Sequence, residues 1–230
     1  MTAAGGFRVL SYNVRSLRDD RRAVARVIAA CTPDVVCIQE APRFLFWRHR
    51  CRALARASGL VVVTGGRPAA AMLLLARPGL PVLDRRDLKL SKAPRLHQRG
   101  LAVAVLDTGI GRVTVASMHL DLDAAERRRH ATEVLAALDG FPDPLVLAGD
   151  VNEEPGDPAW QILTGRLQDA YAAAPVSPPG TFPAPNPARR IDGIFLDPRL
   201  RVLSCGVPDH PDLARASDHR PVLVVVAGGR

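Results

Sequence analysis

Short apolar runs alternate along this chain with polar punctuation, and several of the runs end on a carboxylate, an amide or an imidazole. Phe7 to Val14 (FRVLSYNV) alternates apolar and polar positions like a strand with one buried face, and it delivers Asn13. Asp19 or Asp20 is placed to cap a helix whose Ala23, Val24, Val27 and Ile28 share one face, and Pro33-Asp34 ends it. Asp34 to Ile38 (DVVCI) predicts a buried strand leading to Gln39-Glu40. A basic helix follows over roughly Phe44 to Ser58, closed by Gly59. Its Phe44, Phe46 and Trp47 stand among arginines, a mixture that could touch nucleic acid or a membrane surface. Aromatics packed inward on an amphipathic helix are the simpler expectation.

Leu60 to Thr64 and Ala70 to Ala76 read as strands around a Gly-Gly-Arg-Pro turn, and Pro81 to Lys92 as an edge strand. Gly100 to Leu106 and Arg112 to Leu120 form the next pair, and the second delivers His119. Asp123, with Glu126 three residues on, suggests a capping box for a helix reaching Leu138. Its Arg127-Arg128-Arg129-His130 is expected on the wet face. Leu145 to Ala148 is a buried strand that Gly149 interrupts before Asp150, Asn152, Glu153 and Glu154. Asp157 is expected to cap a short helix with Trp160, Ile162 and Leu163. The proline-rich stretch 174–188 must be an irregular loop, and its Phe182 and Asn186 could wall a cleft. Ile191 to Leu196, carrying Asp192, and Arg201 to Val207 are strands; Pro208 to Ala216 is a loop. Ser217-Asp218-His219-Arg220 runs into the last strand, Pro221 to Ala227. Many strands with about four helices, some between strands and some not, favour a layered α/β or α+β architecture over a doubly wound parallel sheet. With no internal repeat or linker, a single domain over 1–230 is expected, with its core at about 7–226.

Composition narrows the classes. Hydrophobic residues make up 47% of the chain, enough for a sizeable core and too many for a disordered one. No apolar run is long enough to span a bilayer, and MTAAGGFRVL has no leader-like pattern, so the cytoplasm and no stable membrane insertion are expected. Cys31, Cys37, Cys51 and Cys205 lack metal-binding spacing and read as buried thiols. The formal charge of +8 suggests an anionic partner, but Lys89 and Lys92 are the only lysines, and an arginine skew of this kind also arises from codon bias.

The polar residues at strand mouths are Asn13, Glu40, His119, Asp150, Asn152, Asp192, Asp218 and His219. This set suits phosphate-ester cleavage. Carboxylate oxygens hold Mg²⁺ or Mn²⁺, a carboxylate can orient or deprotonate water, and an imidazole fixed by an Asp can stabilise an anionic transition state. Taken singly, Asn13 could be a strand-end cap, His119 a satisfied histidine, and Asp192 an ion-pair partner of Arg189 or Arg190. Arg99, opening a strand in Gln98-Arg99-Gly100, is as consistent with a solvated strand end as with a substrate contact. Glu153 and Glu154 read as structural.

In order, SYNV, IQE, MHLD, GDVNEEP, RIDGIF and SDHRPV resemble the signature motifs of the endonuclease/exonuclease/phosphatase superfamily, over about residues 7 to 226. The resemblance implies a DNase I-like, four-layer αββα sandwich with the site at one end of two packed sheets. It implies Glu40 as the main ligand of Mg²⁺ or Mn²⁺, with Asn13 beside it and Asp218 as a second-site ligand. Asp150 would orient or deprotonate water, Asn152 would hold the phosphate or nucleophile, and His219, oriented by Asp192, would contact the scissile phosphate. His119 would bind a non-bridging oxygen. The exonuclease III-like branch usually has Asp at the position of Arg15 and Lys at that of Pro42, and it lacks a His at position 119; an abasic endonuclease is therefore disfavoured. RIDGIF and MHLD look closer to the sphingomyelinase-like and bacterial nuclease-like branch. The expected activity is hydrolysis of a phosphodiester by in-line water attack, with DNA or RNA first, lipid or small phosphoesters second, and a non-catalytic anion-binding module third. A monomer is expected.

Overall fold

The computed structural model describes residues 6–228. The stretch read as lacking a leader begins in residues 1–5, which lie outside the described residues. In chain order the elements are β1 (Phe7–Asn13), α1 (Arg21–Ala30), β2 (Val35–Gln39), α2 (Trp47–Ala57), β3 (Val61–Gly66) and β4 (Met72–Ala76). They continue with β5 (Val82–Lys89), β6 (Gly100–Thr108), β7 (Gly111–His119), α3 (Ala124–Leu138) and β8 (Leu145–Asp150). The last are α4 (Pro158–Thr164), β9 (Gln168–Asp169), α5 (Ala170–Ala173), β10 (Asp192–Leu196), β11 (Leu200–Gly206), α6 (Leu213–Ala216) and β12 (Val222–Gly228).

The strands form two six-stranded mixed sheets, ordered β11-β12-β1-β2-β4-β3 and β5-β6-β7-β8-β10-β9. Each sheet holds one parallel pair, β1 with β2 and β7 with β8, and each pair is connected through a helix, α1 or α3. Alternate side chains of the central strands face opposite layers, as the pleat requires. Val9, Cys37, Leu74, Val115, Val146, Ile194 and Val224 meet between the sheets. Leu10, Val36, Ile38 and Leu73 face the other way, onto Val24, Val27 and Ile28 of α1 and Leu54 of α2. Leu101, Val103, Met118 and Leu147 do the same against Val134 and Leu138 of α3 and Trp160 and Leu163 of α4. The result is the four-layer αββα sandwich of the DNase I-like fold. Each fully buried Val, Leu or Ile contributes roughly 1.5–3 kcal/mol of transfer free energy.

Several local expectations are corrected. The β8 strand does not stop at Gly149 but runs to Asp150. Gly149 is needed there because a Cβ would stand 1.9 Å from the Met118 carbonyl oxygen in β7. Of the two cap candidates, Asp20 caps α1 as expected, accepting from the backbone of Arg22 and Ala23. Asp123 caps α3, but Glu126 pairs with Arg129 instead of reaching back, so only half of the capping box forms. On the same helix Arg127 is largely buried against Glu153 and His130 is buried, which leaves only Arg128 and Arg129 on the wet face. The side chain of Asp157 makes no cap on α4; Glu153 Oε2 accepts the Ala159 N–H at 2.7 Å instead. The basic helix α2 begins at Trp47, and Phe44 and Phe46 project into solvent rather than packing inward. The stretch expected as a loop before Ser217 contains the short helix α6. All four cysteines are free and buried.

Candidate active site

The two parallel pairs end at the same place. Asn13 closes β1 and Glu40 directly follows β2, while His119 closes β7 and Asp150 closes β8, paired in register. Asp192, the first residue of β10, is the register partner of Asp150. Asp218 and His219 precede β12, which lies beside β1. A parallel pair brings two C-terminal ends side by side, and an antiparallel neighbour adds the start of its own strand. Topology therefore gathers residues up to about 200 positions apart in sequence.

Asn13 ties the halves together. Its Nδ2 donates to Glu40 Oε1 at 3.2 Å and to Asp150 Oδ2 at 3.0 Å, and its Oδ1 accepts the Arg15 N–H at 3.0 Å. Asp150 is buried and its Oδ1 accepts the Asn152 N–H at 3.0 Å. Burial and the neighbouring Asp192 push the Asp150 carboxyl up to about 7, with His219 and the hydrogen bonds from Asn13 and Asn152 opposing. Asn152 takes a left-handed backbone, φ 57°, which turns its amide inward. Its Nδ2 donates to the Leu120 carbonyl at 3.0 Å and lies 3.0 Å from His119 Nε2.

The two histidines carry different charge. His219 Nδ1 lies 2.9 Å from Asp192 Oδ2, and Nε2 lies 3.7 Å from Asp150 Oδ2. Burial opposes charge on this ring, but Asp192, Asp150 and Asp218 outweigh it and lift His219 to about 10. It is an imidazolium at neutral pH. His119 is also buried, and burial together with Arg99 and His219 holds it well below the ordinary value, so it is neutral. Phe182 of the proline-rich loop lies against His219, with ring centroids 5.0 Å apart. Thr181 Oγ1 accepts from the backbone of Ile191 and Asp192 and fixes the start of β10.

Glu40, His119, Asp150, Asn152 and His219 line a cleft of about 450 Å³ with Arg18, Arg43, His97, Arg99 and Arg189. Asp150, Asp192 and His219 have the mutual spacing of metal ligands. Both ring nitrogens of His219 also face carboxylates, the arrangement of an acid/base group. The hard-oxygen candidate is Glu40. Among the described residues no cation pairs with it, and Asp150 stands beside it through Asn13. Asp192 Oδ1 is buried without a hydrogen-bond partner. Glu40, Asp150 and Asp192 gather carboxylate oxygens at the strand ends, the donor type that a divalent cation of the Mg²⁺ class prefers.

The sequence-derived set is thus brought together, with Asp218 at its edge, where its charge still acts on His219. That carboxylate is about one-third exposed and lies 3.3 Å from Arg15 Nε, outside the cleft lining. Asp192 pairs with His219 and not with Arg189 or Arg190; Arg190 pairs with Asp169, and Arg189 with Glu154. Arg99 is not a solvated strand end. It is buried in a pair with Asp121, Nε to Oδ2 3.1 Å, and still lines the cleft. Arg18, Arg43 and His97 are lining residues that no sequence spacing pointed to.

The profile described as the Endonuclease/Exonuclease/phosphatase family matches residues 10–219. No curated protein matches the chain. Among solved structures, an endonuclease/exonuclease/phosphatase from Bacteroides vulgatus is similar with a TM-score of 0.81 and 23% identity, covering 96% of this chain and 98% of that one. A mannosyl-6-phosphatase from Bacteroides thetaiotaomicron gives 0.80 and 21% over 96% and 99%. The TDP2 of D. rerio, solved with a single strand DNA product, gives 0.74 and 19% over 96% and 98%. At these identities the likeness shows the fold, while the profile match, spanning the strand ends that build the site, shows that the chain belongs to the Endonuclease/Exonuclease/phosphatase family of phosphate-ester hydrolases.

Proposed function

We propose that the chain hydrolyses a phosphate ester by in-line attack of water, assisted by Mg²⁺ or Mn²⁺ held by Glu40 with Asn13 beside it. The carrying observation is the Asn13 amide, which binds Glu40 and Asp150 at once and so fixes a metal-type carboxylate next to a base-type one. The family is typically dependent on a divalent metal, and the acidic and histidine cluster here supports that reading. The bound cation would neutralise charge on the phosphate. Asp150, with its carboxyl near neutral pH, orients water and takes its proton. Asn152 positions the phosphate, and neutral His119 beside it donates its ring N–H to a non-bridging oxygen. His219, charged and held by Asp192, stabilises negative charge at phosphorus. Arg99 adds a fixed positive charge at the wall.

The four cleft arginines and the +8 charge support an ester carried on a polyanion or an anionic surface. Nucleic acid and lipid head groups both meet that description. Glu40→Gln tests the metal assignment. Calorimetry should show Mn²⁺ affinity reduced about tenfold or more with the fold retained; unchanged affinity refutes Glu40 as the ligand.

A further inference from the structure

Among the large apolar side chains of the described residues, five are more than half exposed, and four of these cluster around the cleft mouth: Phe44 (69%), Leu45 (77%), Phe46 (71%) and Leu122 (71%). Phe44 and Leu122 line the catalytic cleft itself. Leu45 and Phe46 line an adjoining groove with Arg43, Arg48, Arg67 and Lys89, and no carboxylate is among its lining residues. The cleft and the groove share Arg43, Phe44, Ala70 and Gln98.

The base of this tip is built. Trp47 is partly buried in the helical layer, and its ring lies where a Cβ on Gly66 would be, 2.3 Å away. The Ala41 N–H donates to the Ala71 carbonyl at 2.8 Å, and the Trp47 N–H to the Phe44 carbonyl at 3.0 Å. Phe46 holds φ 57°, a left-handed conformation an L residue adopts at a cost, so the apolar tip is turned outward against local preference. Arg43 lies over the Phe44 ring and Arg48 over Trp47, which places guanidinium groups at the foot of the tip.

We propose that this rim docks the enzyme on an anionic phospholipid bilayer, with Phe44, Leu45, Phe46 and Leu122 entering the headgroup–acyl boundary and Arg43, Arg48, Arg67 and Lys89 facing lipid phosphates. The ester it cleaves is then one presented at a lipid–water interface; this half of the inference rests on the phosphoesterase reading above. Apolar tips with basic flanks have the composition of interfacial anchors. A nucleic-acid strand fits the same surface less well. Leu45 and Leu122 have no ring face for a base, and protein–nucleic acid interfaces are polar as well as positive.

The test is sedimentation of the full chain with phosphatidylcholine vesicles, with and without phosphatidylserine. Binding should require phosphatidylserine and weaken with salt. Leu45→Ser/Phe46→Ser should lower partitioning by about tenfold or more, with the far-UV spectrum and the hydrolysis of a soluble phosphodiester unchanged. Arg48→Ala/Arg67→Ala should remove most of the phosphatidylserine dependence. No sedimentation with anionic vesicles, or equal sedimentation of the apolar variant, overturns the proposal. So does tight binding of a single-stranded oligonucleotide that Leu45→Ser/Phe46→Ser abolishes and vesicles do not compete for. Vesicle binding needs no turnover, so loss of docking and failure of the phosphoesterase reading are separately visible.

Discussion

Gly149→Ala is the substitution whose consequences follow most directly from packing. Gly149 and Met118 are register partners in the parallel pair β7/β8, one step before His119 and Asp150. A Cβ at position 149 would stand 1.9 Å from the Met118 carbonyl oxygen and 2.8 Å from Met118 Cγ. Ordinary contact between carbon atoms is about 3.5–4.0 Å, so the strands must part by roughly 1 Å or more. Overpacking of this kind costs about 1–3 kcal/mol. At about 2–4 °C per kcal/mol for a chain of this size, Tm should fall by roughly 2–12 °C. The same parting lengthens the 3.3 Å approach of His119 Nε2 to Asp150 Oδ2. A misplacement of about 1 Å can cost on the order of a hundredfold in rate. Calorimetric unfolding and steady-state kinetics check both effects, with Gly140→Ala as control because nothing lies within 4 Å of a Cβ there. A Gly149→Ala protein with wild-type Tm and rate refutes the close-approach argument.

Two other outcomes follow from buried charge and buried thiols. Arg127 Nε lies 2.8 Å from Glu153 Oε1 as an ion pair whose angle falls short of a hydrogen bond, and its Nη1 donates to the Asp121 and Leu122 carbonyls. Arg127→Met should therefore leave a buried carboxylate unpaired and cost about 3–5 kcal/mol, read as a lower urea midpoint; an unchanged midpoint contradicts the pairing. Burial raises Cys31 and Cys51 from 9.0 to about 11, and Cys205 to about 12. The native state thus keeps thiol protons that the unfolded chain loses. This stability is fully present below pH 9 and lost as pH rises toward 11–12. Urea midpoints should fall across that window, and a thiol reagent at pH 8 should label cysteines only after unfolding; rapid native labelling contradicts the burial.

What was legible in the sequence was what burial writes into it. Runs such as VVCIQ, MLLLA and LVLAGD are buried at every position, and so they read as strands without knowledge of their neighbours. β5, VLDRRDLK, is exposed almost throughout; it has no apolar period, and its extent was correspondingly vague. The site was legible as strand ends because parallel pairing places such ends together. Partners across the sheets were legible only through the family resemblance, which put Asp192 against His219; local reading offered Arg189 and Arg190 for Asp192, and nothing pointed from Arg99 to Asp121. Phe44 stands three residues before Trp47, a helical spacing, but the left-handed turn at Phe46 puts both phenylalanines before the helix and outside the core. The Glu153 cap on α4 was hidden for a similar reason, since Asp157 occupies the usual position while a buried side chain four residues earlier makes the bond.

The most direct test of the central claim is hydrolysis of a soluble phosphodiester by the purified protein and by Asp150→Asn, each with Mg²⁺ or Mn²⁺ and with chelator. The account predicts turnover by the wild type with metal, none with chelator, recovery when metal is restored, and a loss of about 10²–10⁴-fold in the variant. Equal turnover in chelator, an Asp150→Asn protein as fast as wild type, or a folded, metal-loaded wild type without activity on mono- or diesters would contradict it.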